Sequence, residues 1–492
     1  MKFVNKYNSI KVGLIAIVCL GIAAFHMFKI ISIGWVNKDA GYYITISKMV
    51  LDGLHILTDL RVLYTPLIFY SIAFWIKLFG PSYAGILLLF QLVNLANATL
   101  VFLLLVRHNV QRVLGLFISL SYFSYVLTID GKGIFIEPFQ MFFVLLAFYI
   151  FLKKPDSIIR CGIVGFLIGI SIMYKQYSLA FLISALVMII IANRNNVLHA
   201  IKGSIVLLIM SILPLLIFCI IFNLSISDSI STWFGSRAGA FAASSGSKML
   251  QKTVLSDNYR IISYLFILVI FGYLSYKIRS KISIYVLPFY LISTVFFILR
   301  TYAHYYQLAI VWQYLVIGLM FNFLLFNRGK SKIVANKRYI IRALLLCYLL
   351  FFTIRPIIYP DYTGRYWISH YRKLAKRTKS DIEIAKQINQ IFPKRSRVLF
   401  FGDQQYYVYC DLLCPVNNKC WPLSYKAIDK KIVDNVVVTR TNRPLYVTGG
   451  HHVIYPEKIC KMLLEDGYIE ISQPDNNYAR FFTKPDNHRF SR

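Results

Sequence analysis

Long apolar runs separated by short basic loops restrict the fold of this chain more than any other feature. They recur from residue 12 to residue 357. Most approach the length of about 20 residues that a helix needs to cross a hydrocarbon core of about 30 Å. Hydrophobic residues make up 58 % of the 492 residues, whereas soluble domains average about 45–50 % apolar residues. The sequence therefore predicts a polytopic α-helical membrane protein.

Hydropathy and loop charge together predict about eleven transmembrane helices. They lie near residues 12–33, 82–106, 113–129, 137–152, 160–173, 177–193, 202–223, 260–276, 282–299, 307–326 and 339–357. Two more stretches, 41–53 and 66–79, are apolar on one face and carry Lys48, Asp52 and Lys77. We expect these two to form interfacial helices in the first outer loop.

The basic loops predict which side of the membrane each segment occupies. Arg and Lys residues in the loops near 107–112, 153–160, 194–202, 277–281 and 328–342 all fall on one side of the predicted spans. Positively charged loops stay in the cytoplasm. We therefore expect a cytoplasmic amino terminus and an extracytoplasmic loop after residue 33. The first apolar run is too long for a cleavable signal peptide and lacks a small-residue cleavage site.

The composition changes near residue 360. Alternating runs at 397–401 and 436–438 predict strands, and isoleucines at helical spacing predict a helix within 375–391. We expect a transmembrane domain over 1–359 and an extracytoplasmic α/β domain over 360–492. The second region contains four cysteines: Cys410, Cys414, Cys420 and Cys460. An oxidising compartment favours two disulfides among them, and a zinc site is the alternative.

The net charge of +33, from 54 basic and 21 acidic residues, invites comparison with nucleic-acid-binding proteins. Most basic residues before residue 360, however, lie in the short loops between apolar runs. That distribution reports membrane topology rather than a surface that follows phosphates. We therefore expect no nucleic-acid partner.

Charged and aromatic residues on the predicted outer side are the candidates for chemistry, because charges at a membrane edge are costly unless they are solvated, paired or functional. Asp39 begins the run Asp-Ala-Gly-Tyr-Tyr in the first outer loop, and Glu137 is the only glutamate before residue 360. The other candidates are Arg61, Tyr64, Lys175, Arg300, His304 and Tyr305. Each also has a simpler interpretation: a solvated loop acid for Asp39, an acid at a helix start for Glu137, and a snorkelling lysine for Lys175.

The order and sidedness of these motifs resemble the GT-C class of membrane glycosyltransferases, in particular the bacterial branch related to protein O-mannosyltransferases and aminoarabinose lipid A transferases. The resemblance covers roughly residues 30–310 and rests on the runs around Asp39, Tyr64-Thr-Pro-Leu67, Glu137-Pro138, Tyr174-Lys175 and Arg300–Tyr306. Relatives often have Lys-Pro-Pro-Leu or Tyr-Pro-Pro-Leu at the second run. This chain has no lysine there, which leaves Arg61 as the candidate substitute.

The resemblance implies roles for these residues. Asp39 would be the catalytic base, and Glu137 would orient the acceptor or a cation. The phosphate of the donor would meet Lys175, Arg300 and His304, and Arg61, Tyr64 and Tyr305 would complete the substrate site. No cofactor is assigned, although a divalent cation near Asp39 or Glu137 stays open as an alternative.

The function that the resemblance implies is transfer of a sugar, with inversion, from a polyprenyl-phosphate-linked donor to an envelope glycolipid, glycan or protein. In a bacterium the enzyme would lie in the plasma (inner) membrane and act on its extracytoplasmic, periplasmic face. The sequence lacks an Asp-x-Asp motif, which favours a lipid-linked donor over a nucleotide-linked one. Two other classes stay open. They are a transporter or flippase of lipid-linked glycans, which often shows internal repeats, and an envelope scaffold that displays residues 360–492.

Overall fold

A computed structural model describes residues 38–60, 62, 64–128, 133–234, 281–299, 303–326 and 367–391, with isolated residues between 21 and 36 and short pieces between 398 and 483. Most of the predicted span 12–33, and all of 260–276 and 339–357, lie outside the described residues. The number of eleven spans therefore stays a prediction.

Apolar runs of the sequence form helices throughout the described residues. In chain order these are α1 (Lys38–Leu51), α2 (Leu67–Phe79), α3 (Tyr83–Arg107), α4 (Arg112–Thr128), α5 (Glu137–Phe151), α6 (Ile158–Tyr174), α7 (Leu179–Ala192), α8 (Val197–Ile221), α9 (Ile226–Phe234), α10 (Lys281–Leu299), α11 (Ala303–Phe326) and α12 (Trp367–Ile391). Among them, α3 and α8 are long and apolar enough to cross a membrane, and shorter apolar segments form α2, α4–α7 and parts of α10 and α11. Helix bounds agree with the predicted runs to within a few residues.

The chain forms two compact units, each made of segments that are discontinuous in sequence. The first contains 1–32, 88–217 and 248–372, and the second contains 33–87, 218–247 and 373–492. Within the first unit α5 packs along α6, and α10 packs along α11 and α7. Within the second unit α1 packs along α2. The predicted boundary between 1–359 and 360–492 concerns membrane position and stays a prediction.

Close contact between α6 and α8 depends on two glycines of the first unit. A Cβ atom at Gly165 would lie 2.2 Å from the carbonyl oxygen of Leu207, and one at Gly169 would lie 2.3 Å from that of Ser211. Distances this short are not compatible with any side chain. Small residues let helix backbones approach closely, as in the interfaces between membrane helices. This contact fixes α6, whose carboxyl end leads directly to Lys175.

Helix α1 differs from the amphipathic surface helix predicted for 41–53. All residues from Ala40 to Met49 are buried, on every face of the helix. Tyr42 and Tyr43 pack edge-on against Phe69 of α2, with ring centroids 5.7 and 6.0 Å from that ring. Burial thus extends beyond the one apolar face predicted for 41–53, because protein surrounds these tyrosines and Lys48. The interfacial position of this helix stays a prediction. Helix α2 does keep one exposed apolar face, which includes Phe74 and Phe79.

Short strands follow α12 in the last part of the chain. A four-stranded sheet has the order β1-β2-β6-β5, formed by β1 (Val398–Phe401), β2 (Asn435–Thr439), β5 (Ile469–Ile471) and β6 (Ala479–Thr483). The strands β1 and β2 are parallel, and the other pairs are antiparallel. A second pair consists of β3 (Leu445–Tyr446) and β4 (Val453–Ile454). The strands predicted at 397–401 and 436–438 and the helix within 375–391 are confirmed. Their separation as an α/β domain outside the membrane stays a prediction.

Candidate functional site

An ion pair between Glu137 and Lys175 lies inside the first unit. Glu137 is the first residue of α5, followed by Pro138, which is well suited to the first turn because it lacks an N–H group. Lys175 follows the last residue of α6 in an extended conformation, with φ −158° and ψ 126°. The Lys175 Nζ donates to Glu137 Oε1. Only 5 % of the lysine side chain and 1 % of the glutamate side chain are exposed.

Hydrogen bonds to the backbone hold the two chain segments that carry this pair. Asn97 Nδ2 donates to the carbonyl oxygen of Pro138 at 2.9 Å, which ties α3 to the start of α5. Ser171 Oγ donates to the carbonyl oxygen of Gln140 at 2.8 Å, which ties α6 to α5. The hydroxyls of Ser171 and Ser178 are 2.6 Å apart and span the turn that contains Lys175. The helix ends on both sides of the ion pair are therefore connected to each other.

Aromatic rings cover the same helix ends. Phe139 stacks on Tyr174 with a centroid distance of 5.1 Å and an angle of 22° between the rings. The Lys175 Nζ also lies 5.6 Å from the ring centroid of Tyr177, within reach of a cation–π interaction. A buried charge needs a partner, and removal of one member of a buried pair typically costs about 3–5 kcal/mol. The pair is thus part of the framework of the first unit.

Asp39 occupies a different environment in the second unit. It lies in the first turn of α1, and its side chain is exposed, whereas Ala40 and the residues after it are buried. Tyr43 lies edge-on to Tyr64, with centroids 5.7 Å apart. The aromatic rings thus pack around the helix that carries Asp39, and Asp39 itself is an exposed residue of its first turn.

The remaining predicted site residues are described only in part. Arg61 and Arg300 lie outside the described residues. His304 and Tyr305 lie in the first turn of α11, which begins at Ala303. Asp39 and Tyr64 belong to the second unit, and Glu137 and Lys175 belong to the first. A cavity shared by Asp39 and Glu137 therefore stays a prediction, as do the roles of all these residues.

Across the part of the chain that the structure describes, no group of three or more His, Cys, Asp or Glu residues is placed to hold a metal ion. Cys410, predicted to join a disulfide, is instead a free and buried thiol whose Sγ lies 3.6 Å from the carbonyl oxygen of Ala385. Burial raises the pKa of this thiol to about 12. Two disulfides need all four cysteines, so that prediction is wrong at Cys410. Cys414, Cys420 and Cys460 lie outside the described residues.

One group of contacts was missed by the sequence analysis. Lys48 of α1 forms an ion pair of 2.6 Å with Asp411, and Tyr409 bonds to the backbone at Gly34 and Val36. More than 360 positions separate the partners in each case. No local pattern signals a contact over that separation, because spacing rules reach only a few residues along a helix or strand.

No protein-family model matches the sequence, and no curated protein sequence matches it. The fold is similar to that of ArnT from Cupriavidus metallidurans, an aminoarabinose lipid A transferase. Against ArnT bound to undecaprenyl phosphate the identity is 11 % and the TM-score 0.63, with 94 % of this chain and 97 % of that chain covered. Against apo ArnT the identity is 10 % and the TM-score 0.57, with the same coverage.

A second similarity is to the apo oligosaccharyltransferase of Archaeoglobus fulgidus, at 12 % identity and a TM-score of 0.50. It covers 86 % of this chain and 69 % of that chain. Both proteins are GT-C glycosyltransferases. The predicted resemblance to the GT-C class is therefore confirmed at the level of the fold.

Proposed function

We propose that this chain is an integral membrane glycosyltransferase that transfers a sugar from a polyprenyl-phosphate-linked donor to an envelope acceptor. The observation that carries the proposal is the similarity of its fold to ArnT over 94 % of the chain. ArnT has been seen with undecaprenyl phosphate, which is the class of lipid phosphate that such a donor would release. The acceptor is a glycolipid, glycan or protein on the extracytoplasmic face.

Asp39 is the proposed general base. Its carboxylate takes the proton from an acceptor hydroxyl or amine as the acceptor atom forms a bond to the anomeric carbon of the sugar. The bond between that carbon and the phosphate oxygen breaks in the same step, and the electron pair leaves with the polyprenyl phosphate. A single displacement of this kind inverts the anomeric centre. Exposure of Asp39 at the start of α1 supports this assignment.

Three basic residues are proposed to bind the phosphate of the donor. Lys175, Arg300 and His304 would stabilise the negative charge of the leaving phosphate, with Arg61, Tyr64 and Tyr305 as further substrate contacts. The ion pair between Glu137 and Lys175 adds a second task for Glu137 besides orienting the acceptor or a cation. It would hold the Lys175 ammonium in one position, and pre-positioned charge is what stabilises a transition state most effectively.

Reconstitution tests the proposal directly. The purified protein in lipid vesicles receives a polyprenyl phosphate carrying a radiolabelled sugar, together with envelope extracts as acceptor. A glycosyltransferase produces label covalently attached to an acceptor. A flippase would instead move the labelled lipid between leaflets without forming a product, and a scaffold would do neither. Mass spectrometry of envelope glycolipids and glycoproteins from a deletion strain then identifies the acceptor.

The sidedness of the protein has its own test. A reporter that is active only in the periplasm should work when fused after Tyr359 and should fail when fused at Lys332, because the basic loop near 328–342 is expected to stay in the cytoplasm. The opposite pattern would place Asp39 in the cytoplasm and exclude an extracytoplasmic reaction.

A further inference from the structure

Three consecutive residues, Tyr409, Cys410 and Asp411, each contact a different part of the second unit. They are called the 409–411 clasp below. Tyr409 contacts the chain just before α1, Asp411 contacts α1 itself, and Cys410 contacts α12. In the sequence, Asp39 lies between the residues that Tyr409 contacts, Gly34 and Val36, and the residue that Asp411 contacts, Lys48. The clasp thus brackets the proposed catalytic base.

The contact of Tyr409 lies on the amino-terminal side of Asp39. Its hydroxyl donates to the carbonyl oxygen of Gly34 at 3.2 Å and accepts from the N–H group of Val36 at 3.2 Å. One side chain therefore satisfies two backbone groups next to a turn. Gly34 has φ +63°, a conformation that side chains disfavour, so the turn depends on glycine here. Val36 is buried with 2 % of its surface exposed.

The contact of Asp411 lies on the carboxyl-terminal side of Asp39. Its Oδ1 accepts from Lys48 Nζ at 2.6 Å, and the lysine side chain is only 11 % exposed. Lys48 lies about two and a half turns after Asp39 in the same helix, so this ion pair fixes the far end of α1. Asp411 itself has φ +53°, which is uncommon for a residue other than glycine. Such a conformation persists only where its surroundings determine it, and it is found often at functional positions.

Cys410 anchors the clasp to the rest of the second unit. Its side chain is 1 % exposed, and its Sγ contacts the carbonyl oxygen of Ala385, whose own side chain is buried in α12. Because Cys410 is buried against α12, its chain neighbours Tyr409 and Asp411 stay close to that helix. The positions of Gly34 and Lys48 are thereby linked to α12, which lies more than 300 positions later in the sequence.

We propose that Tyr409 and Asp411 are positioning residues that hold the segment carrying Asp39 in its reactive place. The proposal rests on the proposed function for the role of Asp39. It assigns residues from the last part of the chain to the positioning of the catalytic base. Two anchors on opposite sides of one residue restrict its translation and its rotation together. A catalytic group displaced by about 1 Å can lose about 10²-fold in rate.

The test combines hydrogen exchange with kinetics on the full-length protein in lipid nanodiscs. Tyr409→Phe removes the hydroxyl and keeps the ring, and Asp411→Asn removes the charge and keeps the shape. Loss of the two hydrogen bonds of the Tyr409 hydroxyl, or of the Asp411 ion pair, should speed exchange over residues 34–51 by at least about 2- to 10-fold. The kcat for sugar transfer should fall by roughly tenfold or more, while the KM for the lipid-linked donor changes little.

The matched control is Lys386→Gln. Lys386 belongs to an exposed ion pair of 3.7 Å with Glu383 on α12, with side chains 68 % and 65 % exposed. This variant removes one charge near the clasp without touching it, so exchange over 34–51 and kcat should stay at wild-type values. In the charge-reversed double variant, Lys48→Asp with Asp411→Lys, an ion pair can form again with its charges swapped. If the ion pair is what positions α1, this variant should show slower hydrogen exchange and a higher kcat than Asp411→Asn.

Each outcome decides the proposal. Unchanged exchange over 34–51 in both variants would overturn it, and so would faster exchange with unaltered kcat. Faster exchange with a lower kcat and a steady KM supports it. If the wild-type protein transfers no sugar, the proposed function fails, and the exchange measurement alone then decides whether the clasp holds the segment.

Discussion

The two candidate acids, Asp39 and Glu137, are built into the protein in opposite ways. Asp39 is exposed in the first turn of α1, whereas Glu137 is 1 % exposed and bonded to Lys175. A buried carboxylate contributes to folding through its partner, and an exposed one contributes little to folding and is accessible to substrate. The same kind of substitution should therefore change mainly turnover at Asp39, whereas at Glu137 it should also lower stability.

The largest effect is expected on turnover at Asp39. Asp39→Asn keeps the size of the side chain and its hydrogen bonding but removes the ability to take a proton, so kcat should fall by about 10²–10⁴-fold. Thermal stability should change less than at the buried Glu137–Lys175 pair, because Asp39 is an exposed residue. Turnover with saturating lipid-linked donor and a melting curve measure the two quantities on one preparation.

Asp228→Asn is the matched control for this variant. Asp228 is also exposed, also lies in the first turn of a helix, α9, and is also predicted to lie outside the cytoplasm. Its substitution should change neither turnover nor stability. A folded Asp39→Asn protein that retained more than about a tenth of wild-type turnover would end the assignment of Asp39 as base.

The next largest effect is expected on stability at the buried pair. Glu137→Gln or Lys175→Met alone removes one member of this buried ion pair, which should lower the free energy of unfolding by about 3–5 kcal/mol. The double variant removes both charges and should recover much of that loss. Melting temperature and yield after extraction are measured for the wild type, the two single variants and the double variant. Their comparison gives the coupling energy between Glu137 and Lys175. Equal melting temperatures for the single variants and the wild type would mean that the pair does not support the fold.

Much of this contrast was within reach of the sequence. Apolar runs predicted the helices from α3 to α8 closely, since their period and length are local properties. Glu137 and Lys175 were each identified as unusual charges at a membrane edge. Their pairing was not predicted, because it depends on how α5 and α6 pack. The burial of α1 was not predicted for the same reason. Its polar and charged residues, Tyr42, Tyr43 and Lys48, suggest a solvent-exposed face in the sequence, whereas in the fold they pack against Phe69 or pair with Asp411.

A third prediction concerns α6, the helix that directly precedes Lys175. Gly169→Ala would place a Cβ atom 2.3 Å from the carbonyl oxygen of Ser211, so α6 and α8 must move apart. Overpacking of this kind typically costs about 1–3 kcal/mol, and Lys175 would shift with the end of α6. Melting temperature should fall in Gly169→Ala and change little in Gly115→Ala, where the nearest atoms are 3.6 Å from the added Cβ. A stable Gly169→Ala protein would contradict the close contact of α6 with α8.

The smallest effect concerns how salt changes the strength of two ion pairs, Lys48–Asp411 and Glu137–Lys175. The Lys48–Asp411 pair is partly wet, with 44 % of the Asp411 side chain exposed, whereas both side chains of the Glu137–Lys175 pair are at most 5 % exposed. Salt screens charges that solvent can reach, and the screening length falls from roughly 10 Å at about 0.1 M to roughly 3 Å at about 1 M. Pairs near the surface are worth at most about 1 kcal/mol.

Double-mutant cycles on unfolding at about 0.1 M and about 1 M salt should therefore give different results for the two pairs. The coupling energy of Lys48→Met with Asp411→Asn should shrink by a few tenths of a kcal/mol, roughly half of a surface-type value. The coupling energy of Lys175→Met with Glu137→Gln should change much less, because dissolved salt screens a buried pair far more weakly than an exposed one. A salt-sensitive coupling between Glu137 and Lys175 would show that water and ions reach this pair. Glu137 would then resemble Asp39 as an accessible acid, and the contrast between the two would be lost.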